Sequence, residues 1–199
     1  MNSYSSDWIR RLESYRHWNF YWHQINMILN SVKSSETILE IGKGSGFLSD
    51  YLKGKGYCIE TIDIDPSKKP DIVADIVYYD FQKEYDHLAS FEVFEHISFK
   101  DFETVLEKLQ RICRKYLFLS IPRNEKVWLK VTVELPGDKR IELKLVTKRN
   151  KIISKHHQWE LDYKNYTKRR VESLFVQKGF EIVNLKKVHS LFFYQLRRK

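Results

Sequence analysis

The chain runs Thr37-Ile38-Leu39-Glu40-Ile41 straight into Gly42-Lys43-Gly44-Ser45-Gly46 and then into Phe47 to Lys53. A short apolar run, three glycines at alternate positions and an amphipathic run predict a strand, a sharp turn and a helix that stops at Gly54 or Gly56. Glycine lets the backbone turn tightly and approach a ligand with no Cβ in the way, so this corner is of the nucleotide-binding type. Its spacing decides which type. A dinucleotide fingerprint counted from Gly42 requires a third glycine at residue 47, and that residue is Phe47. Glu40 just before the loop would repel a pyrophosphate but suits a cationic amino-acid group. The Gly-Lys-Ser/Thr ending of a phosphate loop is also missing.

The same alternation continues. Tyr57–Asp63 is a second apolar run ended by Pro66, Asp71–Ala74 a third closed by Asp75, His87–Phe91 a fourth, and Tyr116–Ile121 a fifth stopped by Pro122. From Asp101 to Arg114, Phe102, Val105, Leu106, Leu109 and Ile112 recur at helical spacing. Strands alternating with helices predict a mainly parallel sheet covered on both faces. Upstream, about residues 6–33 lack glycine and proline and repeat Trp18, Tyr21, Trp22, Ile25, Ile28 and Leu29, an N-terminal helical segment. Its aromatics between Arg16 and His23 suit packing on the sheet or lying over a ligand. About residues 124–160 break the rhythm as an insertion or lid. Strict alternation at Val127, Leu129, Val131, Val133 and Leu135, a Pro136-Gly137-Asp138 turn, and Ile141, Leu143 and Leu145 read directly as a hairpin, with a helical excursion as the alternative. A helix capped by Thr167 and stopped by Gly179 follows, then two strands, about Glu181–Val188 and Leu191–Leu196, able to pair antiparallel.

Asp63 lies about 20 residues beyond the loop, at the end of the second strand, where a carboxylate can accept both hydrogen bonds of a ribose diol. Asp75 ends the third strand and could accept from an adenine amino group. Ile64 and Ile76 would offer apolar surface to the ring. Each aspartate alone reads equally as a strand-end cap. Three acidic groups at the ends of three successive strands, beside a glycine loop, point to the ligand crevice of an open α/β sheet. Residues 37–122 resemble the class I S-adenosylmethionine-dependent methyltransferases, near the broad group with type 11 domains. The resemblance rests on Ile38–Gly46, Thr61-Ile62-Asp63-Ile64-Asp65-Pro66, Pro70–Ile76 and Phe91-Glu92-Val93-Phe94-Glu95-His96-Ile97. It implies an α/β, Rossmann-like three-layer sandwich: a seven-stranded, mostly parallel sheet whose last strand is antiparallel, in a single methyltransferase domain over residues 1–199. It also implies S-adenosylmethionine as cofactor, with Gly42, Gly44 and Gly46 lining its methionine end and Glu40 orienting it. Asp63 would hold the ribose, Asp75 with Ile76 would meet the adenine, and Phe91 would contribute backbone near the sulfonium, with Ile64 and Glu92 also among the cofactor-binding residues.

Methyl transfer from a sulfonium is an in-line displacement in which the protein mainly aligns the acceptor, and a general base matters when the acceptor must lose a proton. Histidine is the residue type suited to that at neutral pH. Two clusters supply it. His156-His157-Gln158-Trp159-Glu160 follows the insertion; His157 or His156 is the candidate base and Trp159 a pocket wall, against the plain alternative of exposed histidines beside a core tryptophan. Glu92, Glu95 and His96 could ligate a divalent ion, and the pattern resembles that of some metal-using small-RNA ribose methyltransferases, a resemblance that implies a further histidine where Lys100 stands. The expectation is no metal, with His96 structural or on the acceptor side.

The formal net charge of +9 could mark a nucleic-acid partner or a solvated surface, and its lysines and arginines are spread widely. The favoured partner is a small-molecule, glycan or lipid-like acceptor, methylated at oxygen. An RNA methyltransferase and a non-catalytic cofactor-binding domain are the alternatives. Nothing in the sequence is long and apolar enough to span a membrane, and the N-terminus lacks a signal region, so a cytoplasmic location is expected. Cys58 and Cys113 read as two buried free thiols.

Overall fold

The computed structural model describes residues 14–137, 139–149 and 151–199. The predicted helical residues 6–13 and Asp138 of the predicted turn lie outside the described residues. Nine strands and four α-helices are described: α1 (Tyr15–Leu29), β1 (Thr37–Ile41), α2 (Phe47–Gly54), β2 (Cys58–Asp63), β3 (Ile72–Val73), β4 (Tyr85–Phe91), α3 (Phe99–Ile112), β5 (Cys113–Pro122), β6 (Glu125–Leu135), β7 (Lys139–Lys148), α4 (Lys168–Gln177), β8 (Phe180–Val188) and β9 (Leu191–Arg198). Seven strands form one sheet in the order β3-β2-β1-β4-β5-β9-β8. Pairs among β1 to β5 are parallel, whereas β9 runs antiparallel to both β5 and β8. The expected Rossmann-like sheet with an antiparallel last strand is therefore the observed one.

Side chains on a strand alternate between faces, and here the alternation feeds two cores. Leu39, Leu88, Leu117, Leu119, Tyr194 and Leu196 pack with α3 and α4 through Phe102, Leu106, Val171 and Phe175. Ile38, Ala89, Phe118 and Phe193 pack on the other face with α1 and α2 through Phe20, Ile28, Leu48 and Leu52. Three helices have side-chain caps: Ser14 receives the His17 amide, Ser98 the Asp101 amide and Thr167 the Arg170 amide. Such caps satisfy amides that the first helical turn cannot pair internally.

β6 and β7 form an antiparallel hairpin, which settles the choice between hairpin and helix. Its chain enters and leaves at one point, where Asn124 donates its amide to Leu161 O (2.8 Å) and Leu161 donates to Pro122 O (2.9 Å). Cys113 is buried as expected, but Cys58 is exposed. The reason lies in the sheet: the two-residue β3 pairs only with Ile62 and Asp63, so the first residue of β2 has no strand on that side. Among the described residues, no helix is long and apolar enough to cross a membrane.

Candidate active site

β1, β2 and β4 are adjacent and parallel, so their C-terminal ends lie along one edge of the sheet, the usual ligand position in an open α/β sheet. Gly42, Gly44 and Gly46 all have left-handed backbone, with φ of 80°, 56° and 80°. Gly42 donates to Ile62 O (2.8 Å), and a Cβ on it would come closer than 3.0 Å to a methyl of Val93. Around Gly44 a Cβ would meet nothing within 4 Å. Gly46 caps α2 with no side chain of its own, and the Phe47 amide donates instead to Ser45 Oγ (3.4 Å).

Glu40 ends β1 on the α2 face and is 5% exposed. Its Oε2 is buried without a hydrogen-bond partner. Burial pushes its carboxyl up to about 8, against the opposing pull of Ser49 and Lys43. A cationic group would supply what this oxygen lacks. Asp63 accepts from the Asp65 amide (2.9 Å) through Oδ1 and, longer, from the Gly44 amide (3.4 Å) through Oδ2. The carboxylate is thereby fixed against the glycine loop. Asp75 accepts from the Val77 amide (2.9 Å), so it both caps the turn after β3 and presents its second oxygen. Ile64 is 53% exposed at the crevice, but Ile76 is buried in the core. Ile76 thus anchors this turn rather than offering free side-chain surface.

α1 borders the loop. Tyr21 Oη lies 3.1 Å from Ser45 Oγ, and Trp18 and Tyr21 pack on Phe47 with ring centroids 5.1 and 4.5 Å apart. The two sequence readings of this helix, packing on the sheet and bordering the glycine loop, coexist along its length: Phe20 and Ile28 face the core while Tyr21 faces the loop.

Phe91 ends β4, and Glu92 follows in left-handed backbone (φ 55°) with its amide donated to Ser120 Oγ (3.0 Å). The structure then joins the two histidine clusters. Gln158 donates its amide to Glu95 O (2.7 Å) and its side chain to His96 O (2.9 Å), while Trp159 Nε1 donates to Phe94 O (3.0 Å). His96 and His157 lie with ring centroids 5.0 Å apart. His96 Nδ1 donates to His156 O (3.2 Å), so His156 enters the site through its backbone. His157 Nδ1 pairs with Glu160 Oε1 (2.7 Å). Glu160, fully buried, is itself held by the Ile153 amide (2.7 Å) and Asn124 Nδ2 (2.6 Å).

Glu95 is fully buried, and neither of its carboxylate oxygens has a partner. Burial first, and then the neighbouring Glu92 and Glu160, hold its carboxyl well above the usual range. Burial lowers His96. Trp159 is not a pocket wall: its ring is fully buried 5.0 Å from Phe102 and 5.1 Å from Phe99, and its N–H is spent on Phe94 O. Asn124 and the bracing role of Glu160 were missed in the sequence. The only available signal was Asn124 at the mouth of the insertion, which spacing alone does not link to residue 160.

Residues 12–185 match a family model described as "Methyltransferase domain". No curated protein matches the chain by sequence. Among solved structures, the glycopeptide N-methyltransferase MtfA with S-adenosyl-L-homocysteine is similar, with a TM-score of 0.61 at 13% identity over 89% of each chain. Magnesium protoporphyrin IX methyltransferase from Synechocystis PCC 6803 with bound S-adenosylmethionine gives a TM-score of 0.63 at 12% identity, over 100% of this chain and 87% of that one. The 1,6-didemethyltoxoflavin-N1-methyltransferase of Burkholderia thailandensis gives 0.61 at 11% identity, over 98% and 86%. At these identities the likeness is one of fold.

Proposed function

The chain belongs to the methyltransferase domain family, and on that premise we propose that it transfers the methyl group of S-adenosylmethionine to a hydroxyl of a small-molecule, glycan or lipid-like acceptor. The cofactor lies along the glycine loop. Its cationic amino-acid end meets Glu40, its ribose meets Asp63 and Ile64, and its adenine meets Asp75 and the backbone at Ile76. Phe91 and Glu92 border the sulfonium. The insertion of residues 124–160 forms the acceptor side, because its returning limb carries His156, His157 and Glu160.

One observation carries the acceptor class. His157 is held at Nδ1 by the buried Glu160, so its other nitrogen faces the cluster with the ring orientation fixed. A base oriented by a buried carboxylate is what an acceptor that must shed a proton requires. The related folds named above act, by their names, on a glycopeptide, a porphyrin and a toxoflavin precursor, which supports a small acceptor. The charge of +9 supports an RNA acceptor less directly, because its basic residues are spread along the whole chain.

The test is a screen of hydroxyl, amine and RNA acceptors for S-adenosylhomocysteine release, run with wild type and His157→Gln. Turnover on a hydroxyl acceptor that falls at least about 100-fold in the variant is expected, the usual size of a general-base effect. Turnover on RNA alone, or unchanged turnover in the variant, would overturn the reading.

A further inference from the structure

Glu95 sets the problem. A carboxylate removed from water without donors is among the costliest arrangements in a folded protein. Glu95 is fully buried with both oxygens unpartnered, and no lysine or arginine is paired with it among the described residues. Two other carboxylates, Glu92 and Glu160, lie close enough to act on it. A cation would supply what the Glu95 oxygens lack.

The histidines indicate what it is. One ligand-capable atom each of Glu95, His96 and His157 lies within 4.8 Å of the others. His96 Nδ1 faces a carbonyl oxygen, which can only accept, so that nitrogen carries the proton and Nε2 carries the lone pair. His157 Nδ1 faces the Glu160 carboxylate, and the same logic leaves its Nε2 lone pair free. Histidines that bind metals characteristically donate their other N–H to a carboxylate or a backbone carbonyl, and here one does each. Glu160 is in turn braced by Asn124 and the Ile153 amide, so the outer shell is complete.

We infer that Glu95, His96 and His157 bind a divalent transition-metal ion on the acceptor side of the cofactor crevice. Two imidazoles and one carboxylate suit zinc, cobalt, iron or manganese better than magnesium or calcium, which prefer all-oxygen sites. With metal–ligand bonds of about 2.0–2.2 Å, donor atoms stand roughly 3–4 Å apart, so the three side chains need to draw together by about 1 Å. Three protein ligands leave coordination positions for an acceptor hydroxyl, whose proton would pass more readily to solvent once its oxygen is bound, leaving the oxygen's electron pair for the methyl group. His157 would then be a ligand in place of the base role given above. This step rests on the hydroxyl-acceptor reading above; the binding of the ion does not.

The test is titration of chelator-treated full-length protein with Co²⁺, followed by its visible absorption and by calorimetry. One Co²⁺ per chain is expected, with affinity falling at least about tenfold in His157→Ala, His96→Ala and Glu95→Gln, and measurably in Glu160→Gln. Melting in chelator is the control for folding, and Glu95→Gln is expected to melt no lower than wild type because the amide is a neutral near-isostere of a carboxyl that burial already holds toward its neutral form. S-adenosylmethionine binding in chelator, measured on the same samples, separates the two readings. Cofactor binding without stoichiometric Co²⁺ uptake, or uptake unchanged in Glu95→Gln and His157→Ala, would overturn the metal site alone. Co²⁺ uptake without cofactor binding would leave the metal site standing and count against the methyltransferase reading.

Discussion

Gly42 and Gly44 share a left-handed backbone but differ in what surrounds them, so their alanine variants separate two costs. Left-handed backbone costs a residue with a Cβ roughly 1–2 kcal/mol, and both variants incur that. Gly42→Ala also drives its Cβ closer than 3.0 Å to a Val93 methyl, whereas Gly44→Ala meets nothing within 4 Å. An overpacked contact of that kind adds about 1–3 kcal/mol. The expected losses are therefore about 2–5 kcal/mol for Gly42→Ala and about 1–2 kcal/mol for Gly44→Ala. Adding Val93→Ala to Gly42→Ala trims the methyl and should recover the steric part, giving a coupling of about 1–3 kcal/mol in a double-mutant cycle. Urea unfolding reads all four proteins, with an unchanged m-value showing that stability alone has moved. The order for cofactor affinity relative to stability should reverse: the space beside Gly44 is where we propose that the methionine end lies, so Gly44→Ala should weaken S-adenosylmethionine binding at least about tenfold in a protein that is still folded. Equal destabilisation by the two variants, or no coupling to Val93, would refute the reasoning.

Three further outcomes follow from the described contacts. Glu40 has its folded pKa raised to about 8 by burial, so its contribution to stability is fully present below its unfolded value near 4.5 and is lost as pH rises through about 8; unfolding measured from pH 5 to 8 should show that loss in wild type and not in Glu40→Gln. Glu36 is the opposite case: its bond from Lys115, then the Lys33 amide and His87, hold its carboxyl down to about 2, so its contribution is present above about 4.5 and lost as pH falls toward 2. Glu36→Gln should remove that acid limb in melts between pH 5 and 2. Trp159→Phe deletes the buried N–H donated to Phe94 O and should cost about 1–3 kcal/mol in urea unfolding, with fold retained by circular dichroism.

The sheet was legible because its signals are local. Apolar runs ended by Gly42, Pro66, Asp75 and Pro122 mark strand ends that the structure places within a few residues, and the Gly46 and Thr167 helix starts follow from turn and cap chemistry, while the helix read from Asp101 starts two residues earlier, at Phe99 behind Ser98. The grouping of Glu40, Asp63 and Asp75 was legible for the same reason, since each lies at or within two residues of the end of its own strand. Three features needed the third dimension. Cys58 is exposed because β3 is only two residues long, a length that the run Asp71–Ala74 does not disclose. Trp159 is core because the returning limb of the insertion threads under Phe99 and Phe102. The pairing of His96 with His157 joins residues 61 positions apart through Gln158, a contact that no spacing rule reaches. Lys100 stands where the sequence resemblance implies a second histidine, whereas the fold brings His157 to His96 from beyond the hairpin.

Calorimetric titration of the full chain with S-adenosylmethionine, paired with a melt at saturating cofactor, tests the central claim most directly. A single saturable site is expected, with a rise in melting temperature that grows with cofactor concentration and is lost in Asp63→Ala. No binding heat and no change in melting temperature would contradict it.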